Sequence, residues 1–298
     1  MTSREIPKAT PQTVTAIVEG LDHPECLCLG SDGWLYAGGE GGQIYRFNDD
    51  GRELRQVAST GGFLLGVTAD GDGGIQVCDT TRGALLRIAS DGSITQRAGG
   101  FTLPNFALFA ENGDLFVSDS GAYWNAAGTG VIRCLKADGS DVVFHHGPFR
   151  FSNGLAFDLT RQWLYVIESR AGTILRISAT VPDSTPTLIC QMPPERVPDG
   201  VTLLDDGRLL VSCYTPDELW LVEPGGAAEC IMRDPTHELL VSPANTLLHN
   251  QHLYIANIGG WSIARMETDL RSGPVFHPRA LHPGKVIVEN LLTEKPIA

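Results

Sequence analysis

Six short apolar segments recur along the chain: Trp34-Leu35-Tyr36, Ile75-Gln76-Val77, Leu115-Phe116-Val117, Leu164-Tyr165-Val166, Leu209-Leu210-Val211 and Leu253-Tyr254-Ile255. Most follow a polar turn such as Ser31-Asp32-Gly33 or Asp205-Asp206-Gly207. Glycine tolerates positive φ, so turns of this kind join antiparallel strands. The anchors Leu35, Ile75, Leu115, Leu164, Leu209 and Leu253 stand 40, 40, 49, 45 and 44 residues apart. That interval is the period of a four-stranded propeller blade. A β-sandwich would give turn signals every 8–12 residues but no period near 44.

A second landmark follows each anchor. Ile44, Leu85, Val131, Ile174, Leu219 and Ile263 come 9, 10, 16, 10, 10 and 10 residues later and open the next strand, often with an arginine close behind. The outlier is an insertion, Gly121-Ala122-Tyr123-Trp124-Asn125-Ala126-Ala127-Gly128. Weaker fourth strands read as Leu54-Arg55-Gln56-Val57 and Ile94-Thr95-Gln96-Arg97. The pattern predicts an all-β, six-bladed β-propeller with four antiparallel strands per blade and a central channel. The blades should break near residues 60, 100, 148, 193 and 238. Residues 1–298 then form one domain. Residues 13–18, an alternating strand before the first repeat, complete the last blade, and residues 282–298 form a C-terminal extension outside the repeat.

Composition narrows the setting. Apolar residues make up 42% and charged residues 19%, enough for a core and too little charge for a disordered chain. The net charge of −13 argues against nucleic acid or an anionic membrane as partner. No apolar run is long enough for a membrane helix, and residues 1–8 carry no secretory apolar core. The seven cysteines lack a CxxC pair, and Cys26 and Cys28 are too close for an easy disulfide. A cytoplasmic protein with reduced, buried thiols is expected.

Candidate chemistry sits where the innermost strands begin. Counting back ten residues from each anchor, or eleven in the fourth repeat, reaches Glu25, Leu65, Asn105, Asn153, Asp199 and Pro243. Pseudo-symmetry aims Glu25, Asn105, Asn153 and Asp199 at one point on the axis. Converging carboxylates repel, and unpaired amides lose hydrogen bonds. One divalent cation resolves both, and an all-oxygen set favours Ca²⁺, Mg²⁺ or Mn²⁺ over Zn²⁺. For any one of these residues alone, a turn cap is the simpler role. Elsewhere, His145-His146 reads as a solvated loop pair and Asp119 as a turn cap. His23 and Asn245 lie close enough in sequence to reach the mouth. The sequence has no GxSxG elbow and no P-loop.

Pro24-Glu25, Leu103-Pro104-Asn105, Ser152-Asn153-Gly154-Leu155-Ala156-Phe157 and Pro198-Asp199-Gly200-Val201 resemble the gluconolactonase family that includes senescence marker protein (regucalcin) and luciferin-regenerating enzyme. The resemblance covers about residues 20 to 265. It implies that Glu25, Asn153 and Asp199 bind a divalent metal, Ca²⁺ above Mg²⁺, Mn²⁺ or Zn²⁺. It also implies that Asn105 faces metal and substrate and that Asp199 is the general base. Diisopropyl fluorophosphatase and paraoxonase propellers hold calcium against a similar set. The family often has Arg two residues before the first Asn and Asp just after it, where this chain has Leu103 and Phe106. Pro24-Glu25-Cys26 and Gly41-Gly42-Gln43-Ile44 are also similar to strictosidine-synthase-like propellers. The missing arginine removes a donor for substrate hydroxyls.

The function expected is metal-dependent hydrolysis of a five- or six-membered lactone, with a small-molecule lactone as partner. Tyr123, Trp124 and Asn125 should form one wall of the substrate site. The alternatives are a phosphotriesterase-like calcium hydrolase and a non-catalytic metal-binding or regulatory propeller. A pure interaction propeller has no need for four converging oxygen ligands.

Overall fold

In the computed structural model the described residues are 8–10, 12–158, 160–279, 285–288 and 295–296. They are β-strand, turn and loop, with no helix among them. Blade 1 holds β2 (Leu27–Leu29), β3 (Leu35–Gly38), β4 (Gln43–Phe47) and β5 (Leu54–Ser59), after β1 (Thr15–Glu19). Blade 2 holds β6 (Leu64–Ala69), β7 (Ile75–Asp79), β8 (Ala84–Ile88) and β9 (Ile94–Gly99). Blade 3 holds β10 (Pro104–Phe109), β11 (Leu115–Asp119), β12 (Gly130–Leu135) and β13 (Asp141–Phe149). Blade 4 holds β14 (Ser152–Asp158), β15 (Trp163–Glu168), β16 (Thr173–Ser178) and β17 (Thr187–Gln191). Blade 5 holds β18 (Val197–Leu203), β19 (Leu209–Thr215), β20 (Asp217–Val222) and β21 (Ala228–Arg233). Blade 6 holds β22 (Pro243–His249), β23 (His252–Asn257) and β24 (Ser262–Glu267). Its fourth strand is β1, paired antiparallel with β24 through Thr15↔Arg265 and Glu19↔Ser262. The protein is a six-bladed β-propeller.

Burial explains the sequence pattern. The two inner strands of a blade are covered on both faces by neighbouring blades, so β6, β7, β11 and β14 are buried at every position. Such strands read as continuous apolar runs rather than alternations. Outer strands such as β5 and β17 are partly solvated. Six apolar clusters fill the six blade–blade seams. The arginines behind the second landmark fasten the blade hairpins. Arg87 pairs with Asp70 at 2.6 Å, and Arg46 pairs with Asp32 at 3.0 Å while lying over Trp34. One detail departs from the sequence reading: His145 and His146 lie within β13 rather than in a loop. His145 is buried, with Nε2 2.8 Å from the Ser184 carbonyl oxygen.

Beyond β24 the chain crosses the axis. Gly273 donates to the Leu203 carbonyl at 2.8 Å in blade 5, and the Pro278 carbonyl accepts from Gly71 at 2.9 Å in blade 2, directly opposite. This strap spans the channel end where the inner strands finish. It borders a cavity of about 320 Å³ lined by Leu27, Val67, Phe106, Val201, Val275 and Phe276 among others. Two further strands then extend earlier blades: β25 (Lys285–Val288) pairs with β9, and β26 (Lys295–Pro296) pairs with β5. The rest of the 282–298 extension, and residues 1–7, lie outside the described residues.

Candidate active site

The other end of the channel carries the polar ring, and bulges in the inner strands of five blades build most of it. In blades 2 to 6 the pairing of first and second strands slips by one residue near the start. Pro104 faces Asp119 but Phe106 faces Ser118, and Pro198 faces Cys213 but Val201 faces Val211. The same slip follows Leu64, Ser152 and Pro243. A bulge inserts one residue and re-aims a side chain. The re-aimed positions are Leu65, Asn105, Asn153, Asp199 and Ala244. Glu25 occupies the same place, two residues before β2. The sixth position is therefore Ala244, not Pro243. Leu248 pairs with Leu253 across four intervening residues, whereas Leu203 pairs with Leu209 across five. The shorter hairpin displaced the count by one.

The inner strands approach one another closely at this level. A Cβ on Gly154 would stand 2.6 Å from the Asp199 carbonyl oxygen, and one on Gly200 2.6 Å from that of Ala244. Glycine after the ring residue is what lets blades 4, 5 and 6 close up. At the ring-closing seam Asn245 Nδ2 donates to the Glu25 carbonyl at 3.1 Å.

The ring is dry. Glu25 is 8% exposed, and Asn105, Asn153 and Asp199 are each 2% exposed. Burial, and then the charge of Asp199, raise the Glu25 carboxyl well above the usual carboxylate range. Burial pushes Asp199 up to about 7, against the opposing pull of the Asn153 amide. Asn153 Nδ2 donates to Ser169 Oγ at 3.1 Å. Both Asn153 Oδ1 and Asp199 Oδ1 are buried without a hydrogen-bond partner. Unpartnered buried oxygens are costly and mark a place for a cation or donor. Among the described residues no three His, Cys, Asp or Glu side chains gather as a metal group. The candidate set is two carboxylates and two carboxamides, which suits a hard cation. Glu25, Asn105, Asn153 and Asp199 fit such an ion.

The mouth above the ring is roofed from blade 3. Tyr123, in the insertion, places its hydroxyl 2.9 Å from that of Tyr214 in blade 5. Its ring meets Phe151 and Trp124 edge-on at 4.8 and 4.9 Å. Burial raises Tyr214 most, followed by its hydrogen bond to Tyr123 and the charges of Tyr123, Asp199 and Glu25. Tyr214 is thus a neighbour of the carboxylate pair that the sequence reading missed. The signal available was its place, five residues after Leu209, where the other repeats carry Glu40, Thr80, Ser120, Ser169 and Ile258.

The family described as SMP-30/Gluconolactonase/LRE-like region matches residues 40–259. The chain belongs to this SMP-30/gluconolactonase/LRE-like family. The N-terminal region of the strictosidine synthase-like family also matches, over residues 13–47. No curated protein matches significantly in sequence. A gluconolactonase from Xanthomonas campestris superposes with a TM-score of 0.72 at 17% identity, covering 91% of this chain and 96% of that one. A luciferin-regenerating enzyme gives 0.73 at 14%, covering 89% and 99%. The calcium-binding protein regucalcin from Agrobacterium tumefaciens gives 0.74 at 12%, covering 92% and 98%. At these identities the likeness is one of fold.

Within this gluconolactonase-like frame the remaining candidates separate. Trp124 is 83% exposed on the rim, and Asn125 Oδ1 accepts from the Ala127 amide within the insertion's own turn. Asp119 caps the loop before β10, accepting from Thr102 and Leu103 N–H. His23 lies 3.5 Å from Glu40 and edge-on to Phe63, and burial lowers its pKa.

Proposed function

We propose that this protein is a divalent-metal-dependent lactonase, opening a five- or six-membered ring ester to its hydroxy acid. The observation that carries the reading is the pair of desolvated carboxylates, Glu25 and Asp199, set among carboxamides with two buried oxygens unpartnered. Membership of the family supports the reaction class. The Agrobacterium tumefaciens neighbour, described as a calcium-binding protein, supports Ca²⁺ as the ion. Glu25, Asn153 and Asp199 would hold it, with Asn105 as a fourth oxygen. When bound, such an ion polarises a carbonyl oxygen as a Lewis acid.

The chain's own residues supply the remainder. Asp199 accepts the proton of the attacking water and returns it to the leaving ring oxygen, as general base and then acid. Glu25 supplies the second negative charge of the ring. Asn105 holds the substrate carbonyl or ring oxygen. The Tyr123–Tyr214 pair roofs the mouth and limits bulk water above the reacting ester. The seven free cysteines, all buried, support a reducing compartment such as the cytoplasm.

A lactone panel against an organophosphate panel, each with Ca²⁺, Mg²⁺, Mn²⁺ and Zn²⁺, tests the reading. Lactone opening above the spontaneous rate is expected, with metal and activity lost together in Asp199→Ala and Glu25→Gln. Unchanged metal content in both variants would place the ion elsewhere. No lactone opened with any of the four ions would end the lactonase reading in favour of a phosphotriesterase or a calcium-binding role.

A further inference from the structure

Arg170 follows Ser169, the residue that fixes Asn153. Its guanidinium lies 4.8 Å from the Tyr123 ring centre and 5.2 Å from that of Trp124. Four other arginines stack in this way: Arg46 over Trp34, Arg133 over Phe101, Arg176 over Trp163 and Arg196 over Trp220. Arg46, Arg133 and Arg196 also pair with a carboxylate, of Asp32, Asp141 and Glu218 respectively, while Arg176 is half-buried within β16. Arg170 has the aromatic face contact and, among the described residues, no carboxylate partner. The nearby Glu168 carboxylate is buried and already taken, by Arg150 N–H and the Thr173 hydroxyl, both at 2.7 Å.

A guanidinium stacked on aromatic rings is pre-oriented, and its N–H edge is a fork that fits a carboxylate. Arg150, whose carbonyl accepts from Arg170 N–H at 3.2 Å, adds a second exposed cationic side chain on this rim. The protein as a whole carries −13, so a cationic rim at the mouth is where an anion would be drawn. Two ring carboxylates and one divalent ion sum to zero, so the ring does not oppose it.

We propose that the lactone carries a carboxylate substituent, and that Arg170 receives it at the rim while the ester faces the ring. Arg170 is then the residue that determines substrate class, with the Tyr123 and Trp124 rings confining its side chain. This rests on the lactonase reading, which fixes what faces the ring.

The test compares a γ-lactone bearing a ring carboxylate with its primary amide, which has the same size and no charge. Both are assayed with saturating Ca²⁺ in wild type, Arg170→Gln and Arg170→Lys. A charge-assisted hydrogen bond at an exposed site predicts a KM about tenfold lower for the carboxylate, with kcat little changed. Arg170→Gln should erase the difference, Arg170→Lys should keep part of it, and added salt should shrink it. A non-hydrolysable cyclopentanone carboxylate supplies a second readout. Its binding should quench Trp124 fluorescence, a signal absent in Trp124→Phe and weakened about tenfold in affinity in Arg170→Gln. Equal handling of carboxylate and amide, unaltered by Arg170→Gln, overturns the inference and leaves the lactonase reading standing. Arg170-dependent quenching without turnover of any lactone leaves the anion site standing and removes the lactonase.

Discussion

Tyr123 and Tyr214 stand 91 residues apart and share a hydroxyl–hydroxyl hydrogen bond of 2.9 Å over the mouth of the channel. The bond ties the blade 3 insertion to blade 5, and the contacts of Tyr123 with Phe151 and Arg170 tie it to blade 4 between them. The insertion is thereby held as a roof beside the ring. Tyr214→Phe removes the bond while keeping both rings. A loss of about 1 kcal/mol is expected for one such hydrogen bond. Metal content should be unchanged and the range of accepted lactones broader. Thermal denaturation, metal analysis and a lactone panel check the three parts, and lost metal would show that Tyr214 supports the ring itself.

Ser169 gives a sharper probe of the ring. Its hydroxyl accepts from the Asn153 amide, whose carbonyl oxygen is buried without a partner. Outer-shell partners of this kind are worth about 10–100-fold in metal affinity. Ser169→Ala should weaken ion binding by that order without changing net charge, and Ser169→Thr should restore part of it. Titration calorimetry on the two variants decides. Equal affinities in wild type and Ser169→Ala would mean that Asn153 is not a ligand.

Much of this was legible in the sequence because one hairpin plan repeats. The anchors fall at near-constant spacing because each blade repeats the same order of four antiparallel strands joined by short turns. Counting back found Asn105, Asn153 and Asp199 because the bulge lies ten or eleven residues before the anchor, and Glu25 because it lies at the matching place before β2. The count missed Ala244, where the turn through Asn250 and Gln251, both at positive φ, is one residue shorter. Tyr214 escaped because its role comes from a partner in another blade, which no local pattern encodes. The strap at residues 270–279 escaped because it leaves the repeat and is held by backbone bonds to Leu203 and Gly71.

The raised Asp199 carboxyl has a pH signature in metal-free protein. Its folded value of about 7 lies above the ordinary 3.8, so between these values the folded state binds more protons than the unfolded. Stability then falls as pH rises through that window and levels off above about 7. Glu25, also raised, adds in the same direction. Asp199→Asn removes the ionisation and should stabilise the metal-free protein at pH 8 more than at pH 5. In wild type the stabilisation by Ca²⁺ should be larger at pH 8, since the ion favours the ionised form. Paired melting curves at the two pH values check both. Equal effects of Asp199→Asn at pH 5 and pH 8 would show that Asp199 titrates normally.

Gly154 tests whether blade spacing sets the ring. A methyl group there would meet the Asp199 carbonyl oxygen at 2.6 Å, and backbone has little room to give. Overpacking of this kind typically costs about 1–3 kcal/mol. The strain would fall on the strand that carries Asp199, so ion affinity should drop along with the melting temperature. Gly225→Ala is the matched control, because a Cβ there meets nothing within 4 Å. If Gly154→Ala lowers stability and leaves ion affinity intact, the close approach serves packing alone. If both fall while the control is silent, the contact between blades 4 and 5 is what holds Asp199 at the ring.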